Sequence, residues 1–242
     1  MLAETLMKHS KIYAQKIKES KMNGNNLNEN EDSLKDITML GIQDLPTIQE
    51  LTRTMLNGKS MIDPSRVTMD DMRKTAIHEV GHATIGYLLF KKTGIKKITC
   101  AAEGWGALGY VEYDNSNNSY TQTKEELLNK IKRSLAGIGA EEVFIGVYEN
   151  GGTSDLEKAT LIARNIITNF GMSDLGLAHI SGQNTELEKI IYDEENKILG
   201  KCFEEVKQLI LENKEKMERV VDYLLEHKEM TEEEFINVFN GI

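Results

Sequence analysis

Apolar and small residues keep a helical beat from residue 68 onward. Met72, Ala76, Val80, Ala83, Tyr87 and Leu88 fall on one side of a 3.6-residue period. Thr68 and Asp71 stand three apart at its start, the spacing of a capping box, with Asp70 and Asp71 placed to complement the helix dipole. The pattern predicts a helix that runs through a lysine-rich tail to Gly94. The period then changes. Ile95, Ile98 and Cys100 predict a short strand, and residues 107–113 (ALGYVEY) a second, approached through Gly104 and Gly106. Residues 114–121 (DNSNNSYT) predict a loop.

Helical spacing returns at Leu127, Leu128, Ile131, Leu135, Ile138, Val143, Phe144 and Val147, behind a second capping-box pair, Thr123 and Glu126. Gly137 and Gly139 inside this helix cost about 1 kcal/mol each relative to alanine, so they predict close approach of another helix. Gly151 and Gly152 predict a turn. Ser154 and Glu157 predict the cap of the next helix, whose face carries Leu156, Ala159, Ile162, Ala163, Ile166, Ile167 and Phe170 and which Gly171 stops. After a loop through Gly182, long charged helices are predicted over 186–227, and Thr231 with Glu234 caps a last short helix. No internal repeat is present. The pattern is that of a mainly α domain.

The first 64 residues read differently. Leu2, Leu6, Tyr13 and Ile17 form a weak amphipathic pattern, residues 23–33 are polar and Asn-rich, and Ile48, Leu51, Met55 and Leu56 return to helical spacing before Asp63-Pro64 interrupts them. Two units follow: an N-terminal arm over 1–64 and a helical domain over 65–242. With net charge −10, the chain lacks the basic excess that phosphate binding needs, so nucleic acid is not an expected partner. Two cysteines exclude a disulfide framework and fit a cytoplasmic protein. The apolar stretch 85–90 is about one-third of a membrane span, and the N-terminus has no signal-peptide core, so no intrinsic span is expected.

His78-Glu79-Val80-Gly81-His82 is an HExxH motif inside the first strong helix. Residues four apart lie one above the other on a helix face, so two imidazoles can share one cation at about 2.0–2.1 Å. Glu79, about 100° around the helix, can miss the cation and still act as base toward a water held by it. A catalytic zinc needs a third protein ligand. HExxHxxGxxH is not met, because Ile85 and Leu88 occupy its glycine and last histidine slots. His179, Glu141, Glu142 and Asp155 are the remote candidates. Asp155 is preferred on the residues alone, since the first turn of a helix keeps a carboxylate ionised.

Several segments together carry a resemblance. His78 to Ala83, Gly106-Ala107-Leu108-Gly109-Tyr110, Thr123 to Leu127, Ala140 to Gly146, Thr153 to Thr160 and Gly171-Met172-Ser173 occur in an order and spacing similar to the FtsH-type zinc peptidase domain, the peptidase part of the AAA protease family. The likeness covers about residues 65–240. It implies a mainly α peptidase fold with a small β element beside the HExxH helix. It implies His78, His82 and Asp155 as zinc ligands and Glu79 as catalytic base. Glu141 and Glu142 then become candidates to hydrogen-bond the far nitrogen of a ligand histidine. It also implies that the segment holding Ala107, Leu108, Gly109 and Tyr110 is the edge strand along which substrate lies.

Family members usually carry a membrane anchor and an ATPase module, and this sequence is expected to have neither. Residues 53–60 (RTMLNGKS) come nearest to a phosphate loop, but Arg53 stands where glycine is required and no strand precedes it. Glu149-Asn150-Gly151-Gly152 also departs from the family's turn before the aspartate. The expected function is a zinc metalloendopeptidase that cleaves unfolded polypeptide or peptides without ATP of its own. The alternatives are a non-catalytic zinc scaffold that binds extended segments or a partner, and a peptidase served by a separate unfoldase or adaptor. An intact Glu79 argues against the scaffold. The resemblance further implies a homo-oligomeric ring, a hexamer in form.

Overall fold

The computed structural model describes residues 64–101, 107–114, 121–181 and 184–242. The N-terminal arm up to residue 63, the phosphate-loop-like stretch, Gly104, Trp105, Gly106 and most of the loop after residue 114 lie outside them. Within the described residues five helices and three short strands follow in order. They are α1 (Met69–Leu89), β1 (Ile95–Thr99), β2 (Tyr110–Tyr113), α2 (Lys124–Ile145), α3 (Thr153–Thr168), α4 (Thr185–His227), β3 (Glu229–Met230) and α5 (Glu232–Asn240). The architecture is mainly α with a small sheet, as the pattern predicts.

Three helix starts use one chemistry. Thr68, Thr123 and Thr231 are in extended backbone and accept the amide of the residue three on, and the carboxylates of Asp71, Glu126 and Glu234 accept the threonine's own amide in return. Each box satisfies two amides that the helix leaves unpaired. The fourth prediction is corrected. Ser154 and Glu157 do not cap α3; the helix starts at Thr153 behind Gly152, with no side-chain cap. A 3-10 turn over Asn150–Gly152 feeds it instead, and the Thr153 hydroxyl bonds back to the Asn150 carbonyl at 2.9 Å.

Two boundaries also differ. α1 ends at Leu89, because Phe90 takes an extended conformation, and Gly94 with φ +63° turns the chain into β1. β2 is four residues long, so Ala107, Leu108 and Gly109 form its approach rather than part of the strand. The charged helices predicted over 186–227 are one continuous helix of 43 residues. Its buried positions Val206, Ile210, Met217, Val221 and Leu224 recur at steps of three, four and seven, and this single stripe packs against both α1 and α2.

The sheet order is β2-β1-β3, antiparallel throughout. Thr99 faces Tyr110 and Ile98 faces Val111 on one side, while Ile98 faces Met230 on the other. One apolar core joins α1, β1, α2, α4 and α5; a smaller one joins α2, α3 and α4. Phe235 and Phe239 are fully buried, and each such side chain contributes about 1.5–3 kcal/mol. That burial docks α5, since nine residues are too few to hold a helix by themselves. Among the described residues no helix is long and apolar enough to cross a membrane.

The α1–α2 contact is where the fold prepares the site. A Cβ on Gly81 would lie 2.5 Å from the Ala136 carbonyl, so α1 sits against the backbone of α2. Gly139 opens the other side of α2 to Val206 of α4, the helix approach its sequence predicts. Gly137 serves a different neighbour, the ring of His78.

Candidate active site

His78 and His82 lie one turn apart on the buried face of α1, and their Nε2 atoms are 3.0 Å apart. The ring of His78 fills a slot with glycine on two sides. A Cβ on Gly137 would collide with the imidazole at 2.4 Å, and one on Gly152 would come within 3.7 Å of it. Any larger residue in α2 at 137 would push the ring aside. Gly152 also brings the start of α3 close, which delivers Asp155. Its Oδ2 lies 3.3 Å from Nε2 of both histidines.

The outer nitrogens fix the tautomers. His82 Nδ1 donates to the Arg133 carbonyl at 2.7 Å. His78 Nδ1 donates to Glu141 Oε1 at 2.6 Å. A carbonyl and an ionised carboxylate only accept, so both Nδ1 atoms carry hydrogen. In neutral rings both Nε2 lone pairs then point inward, at each other and at Asp155. Three electron-rich ligand atoms within 4.8 Å of one another need a cation between them. Two imidazole nitrogens and one carboxylate oxygen are a donor set suited to zinc, and three protein ligands leave one tetrahedral position over.

Electrostatics agree with that reading. Burial works against a charged His78, but the carboxylates of Asp155 and Glu141 outweigh it and push its pKa up to about 10. Burial likewise opposes ionisation of Asp155, yet hydrogen bonds from the two rings hold its carboxyl far below the usual range. A proton thus does in part what a metal ion would do better. Glu79 is buried beside the pair, and burial pushes its carboxyl up while the nearby rings pull it back. Among the described residues none hydrogen-bonds to its carboxylate, which leaves that group free for a water.

The other candidates separate. Glu141 holds His78 by one oxygen and accepts the Glu149 amide at 2.7 Å with the other. Glu142 pairs instead with Lys207 of α4 at 3.1 Å. His179 is exposed on the loop after α3 and, among the described residues, joins no cluster of metal-ligating groups. Residues 107–110 pass beside α1. A Cβ on Gly109 would collide with the Thr99 carbonyl and the Thr75 side chain, and Thr75 lies one turn ahead of Glu79. Among the described residues β2 pairs with β1 alone.

Two contributions escape sequence reading. The Arg133 carbonyl that orients His82 is main chain, so no residue type announces it. Arg133 itself lies between the rings of Phe90 at 4.6 Å and Tyr113 at 4.3 Å, and the Tyr113 hydroxyl donates to the His82 carbonyl at 3.1 Å. This stack ties β2, α2 and the end of α1 together around the second histidine.

Comparison with known proteins gives consistent relatives. The model of Peptidase family M41 matches residues 65–238. The chain is 35% identical over 186 residues to ATP-dependent zinc metalloprotease FtsH 2 of Thermoanaerobacter sp. (strain X514), covering 77% of this chain and 36% of that protein. It is 31% identical over 195 residues to ATP-dependent zinc metalloprotease FtsH 3 of Petrotoga mobilis, covering 72% and 30%. It is 32% identical over 209 residues to ATP-dependent zinc metalloprotease FtsH of Clostridium perfringens, covering 80% and 29%. The chain therefore spans about a third of the length of the curated relatives it matches.

Proposed function

The chain belongs to peptidase family M41, and from the site it carries we propose that it is a zinc-dependent metalloendopeptidase acting on unfolded polypeptide or peptides. The observation that carries the proposal is the convergence of His78 Nε2, His82 Nε2 and Asp155 Oδ2 beside a buried Glu79.

His78, His82 and Asp155 are the ligands of this proposal. Zinc held by them supplies Lewis acidity toward a water and toward the scissile carbonyl. Glu79 takes the proton from the attacking water and passes it to the departing amine. Its burial raises its basicity toward that task. Glu141 and the Arg133 carbonyl hold the rings in the tautomer that turns Nε2 inward.

An extended chain lying along the outer edge of β2 and its approach, Ala107, Leu108, Gly109 and Tyr110, would make main-chain bonds and reach Glu79 one helical turn from Thr75. Such binding reads backbone more than side chains, so substrate needs to be unfolded rather than of one sequence. The hydrolytic step uses no nucleotide. Action in the cytoplasm and assembly as a ring, a hexamer in form, belong to the same proposal.

The test compares the native protein with Glu79→Gln on casein, with and without ATP. Cleavage by the native protein alone, lost in Glu79→Gln with one zinc per chain retained, supports the reading. Zinc without cleavage in both favours a second reading, a peptidase fed by a separate unfoldase. That reading draws on the ATP-dependence in the relatives' names. Absence of zinc from the native protein would sink both.

A further inference from the structure

We propose that Lys158 is the positioning residue that keeps Asp155 a one-oxygen ligand, and so keeps the fourth corner of the metal centre open. The inference rests on the zinc reading above and deepens it.

The two oxygens of Asp155 are divided between partners. Oδ2 is 3.3 Å from His78 Nε2 and 3.3 Å from His82 Nε2. Oδ1 is 3.2 Å from the ammonium of Lys158. A carboxylate with both oxygens free can grasp a cation with one or with both. Here the outer oxygen already has a cation of its own. Lys158 stands three residues on along α3, on the same helix face, so little freedom is lost in holding the pair. The ammonium approaches from solvent, with 62% of its side chain exposed against 14% for Asp155. One oxygen of the carboxylate thus meets the histidines and the other meets Lys158.

Such a partly exposed pair adds little to stability. Its effect lies in coordination number. Two histidine nitrogens and one oxygen leave a tetrahedral position for the water that Glu79 deprotonates. A second oxygen from Asp155 would crowd that position while holding the metal as firmly as before. Loss of the lysine charge should therefore lower turnover without loosening the metal, the opposite of what loss of a ligand does.

The experiment loads native, Lys158→Met and Lys158→Arg protein with cobalt(II), whose visible absorption is stronger in four-coordinate than in five-coordinate sites. Lys158→Arg keeps the native spectrum. Lys158→Met shows a weaker band at one cobalt per chain, zinc affinity no lower than native, and kcat on casein down about tenfold with KM unchanged. A Lys158→Met spectrum identical to native, at one cobalt per chain, overturns the inference and leaves the metal reading standing. So does a Lys158→Met protein that loses its metal, because that marks the lysine as a structural support of the ligand. Failure of the native protein to take up cobalt or zinc would remove the reading beneath both.

Discussion

Glu141 links His78 to the segment that delivers Asp155: one carboxylate oxygen lies 2.6 Å from His78 Nδ1 and the other accepts the Glu149 amide at 2.7 Å. The side chain is buried, so neither bond is easily replaced by water. Glu141→Gln keeps one acceptor oxygen for two donors and must drop one of them. Zinc affinity is expected to fall by about 10- to 100-fold, the usual effect of removing a partner behind a ligand histidine. Glu142→Gln, which loses only a contact to Lys207, should leave zinc affinity near native. Competition with a chromophoric chelator measures both, and equal losses would contradict the asymmetry.

Gly137 and Gly139 lie two residues apart on α2 and make opposite predictions. At 137 an added methyl group meets the rigid imidazole of His78; at 139 it meets Val206 and Ile210 side-chain ends, the nearest at 2.8 Å. Gly139→Ala is expected to shift stability by about 1–3 kcal/mol through overpacking, offset in part by better helix propensity, with zinc retained. Gly137→Ala should lose zinc even where its thermal midpoint stays close to native. Zinc content and thermal unfolding, measured on both variants, decide it. Retention of native zinc by Gly137→Ala would mean that the ring can move without cost to the site.

Legibility in the sequence follows the range of each interaction. HExxH is visible because its chemistry depends on residues four apart, and a helix supplies that relation locally. The threonine boxes at Thr68, Thr123 and Thr231 are visible for the same reason. Ser154 and Glu157 have similar spacing yet form no box, because the chain enters α3 through the 3-10 turn at Asn150–Gly152. The partner of the two histidines is 73 residues beyond His82, and four side chains met its chemical requirements; the first turn of a helix favoured Asp155 slightly, and the family likeness favoured it more. Gly137 announced the close approach of another helix, but not that the contact would be the ring of His78. The carbonyl of Arg133 left no trace at all, since main-chain acceptors are the same at every residue.

The three boxes also predict the acid limit of the fold. Hydrogen bonds from Thr68 and Thr123 lower the carboxyl pKa values of Asp71 and Glu126 below their ordinary 3.8 and 4.5, and Thr231 does the same for Glu234. A lowered folded-state pKa adds stability that is present above the ordinary value and is lost as pH falls through the lowered one. Stability is therefore expected to drop from pH 5 downward. Thr123→Ala should cost about 1 kcal/mol at pH 7, and that difference from native should shrink as pH falls toward 3. Urea midpoints across this range check it. A difference that stays constant would mean that the carboxylate takes no part in the cap.

Protons and metal compete for the same inward-facing nitrogens. In protein stripped of metal by a chelator, His78 should remain charged well above neutrality, since Asp155 and Glu141 push it up to about 10 against the opposing effect of burial. The sign is that of a raised base: stability from this proton is full below the ordinary value of 6.5 and fades as pH rises through about 10. Metal binding must expel that proton at any pH below about 10, so zinc affinity rises with pH over the neutral and mildly alkaline range. Nitrogen-detected NMR of the imidazoles in the stripped protein reads the value directly. Native protein is expected to show one ring titrating near 10, and Asp155→Asn, which removes the largest favourable partner, should bring it back toward 6.5. A His78 that is neutral at pH 8 in the stripped protein would show that Asp155 does not face the ring as the hydrogen bond at 3.3 Å requires.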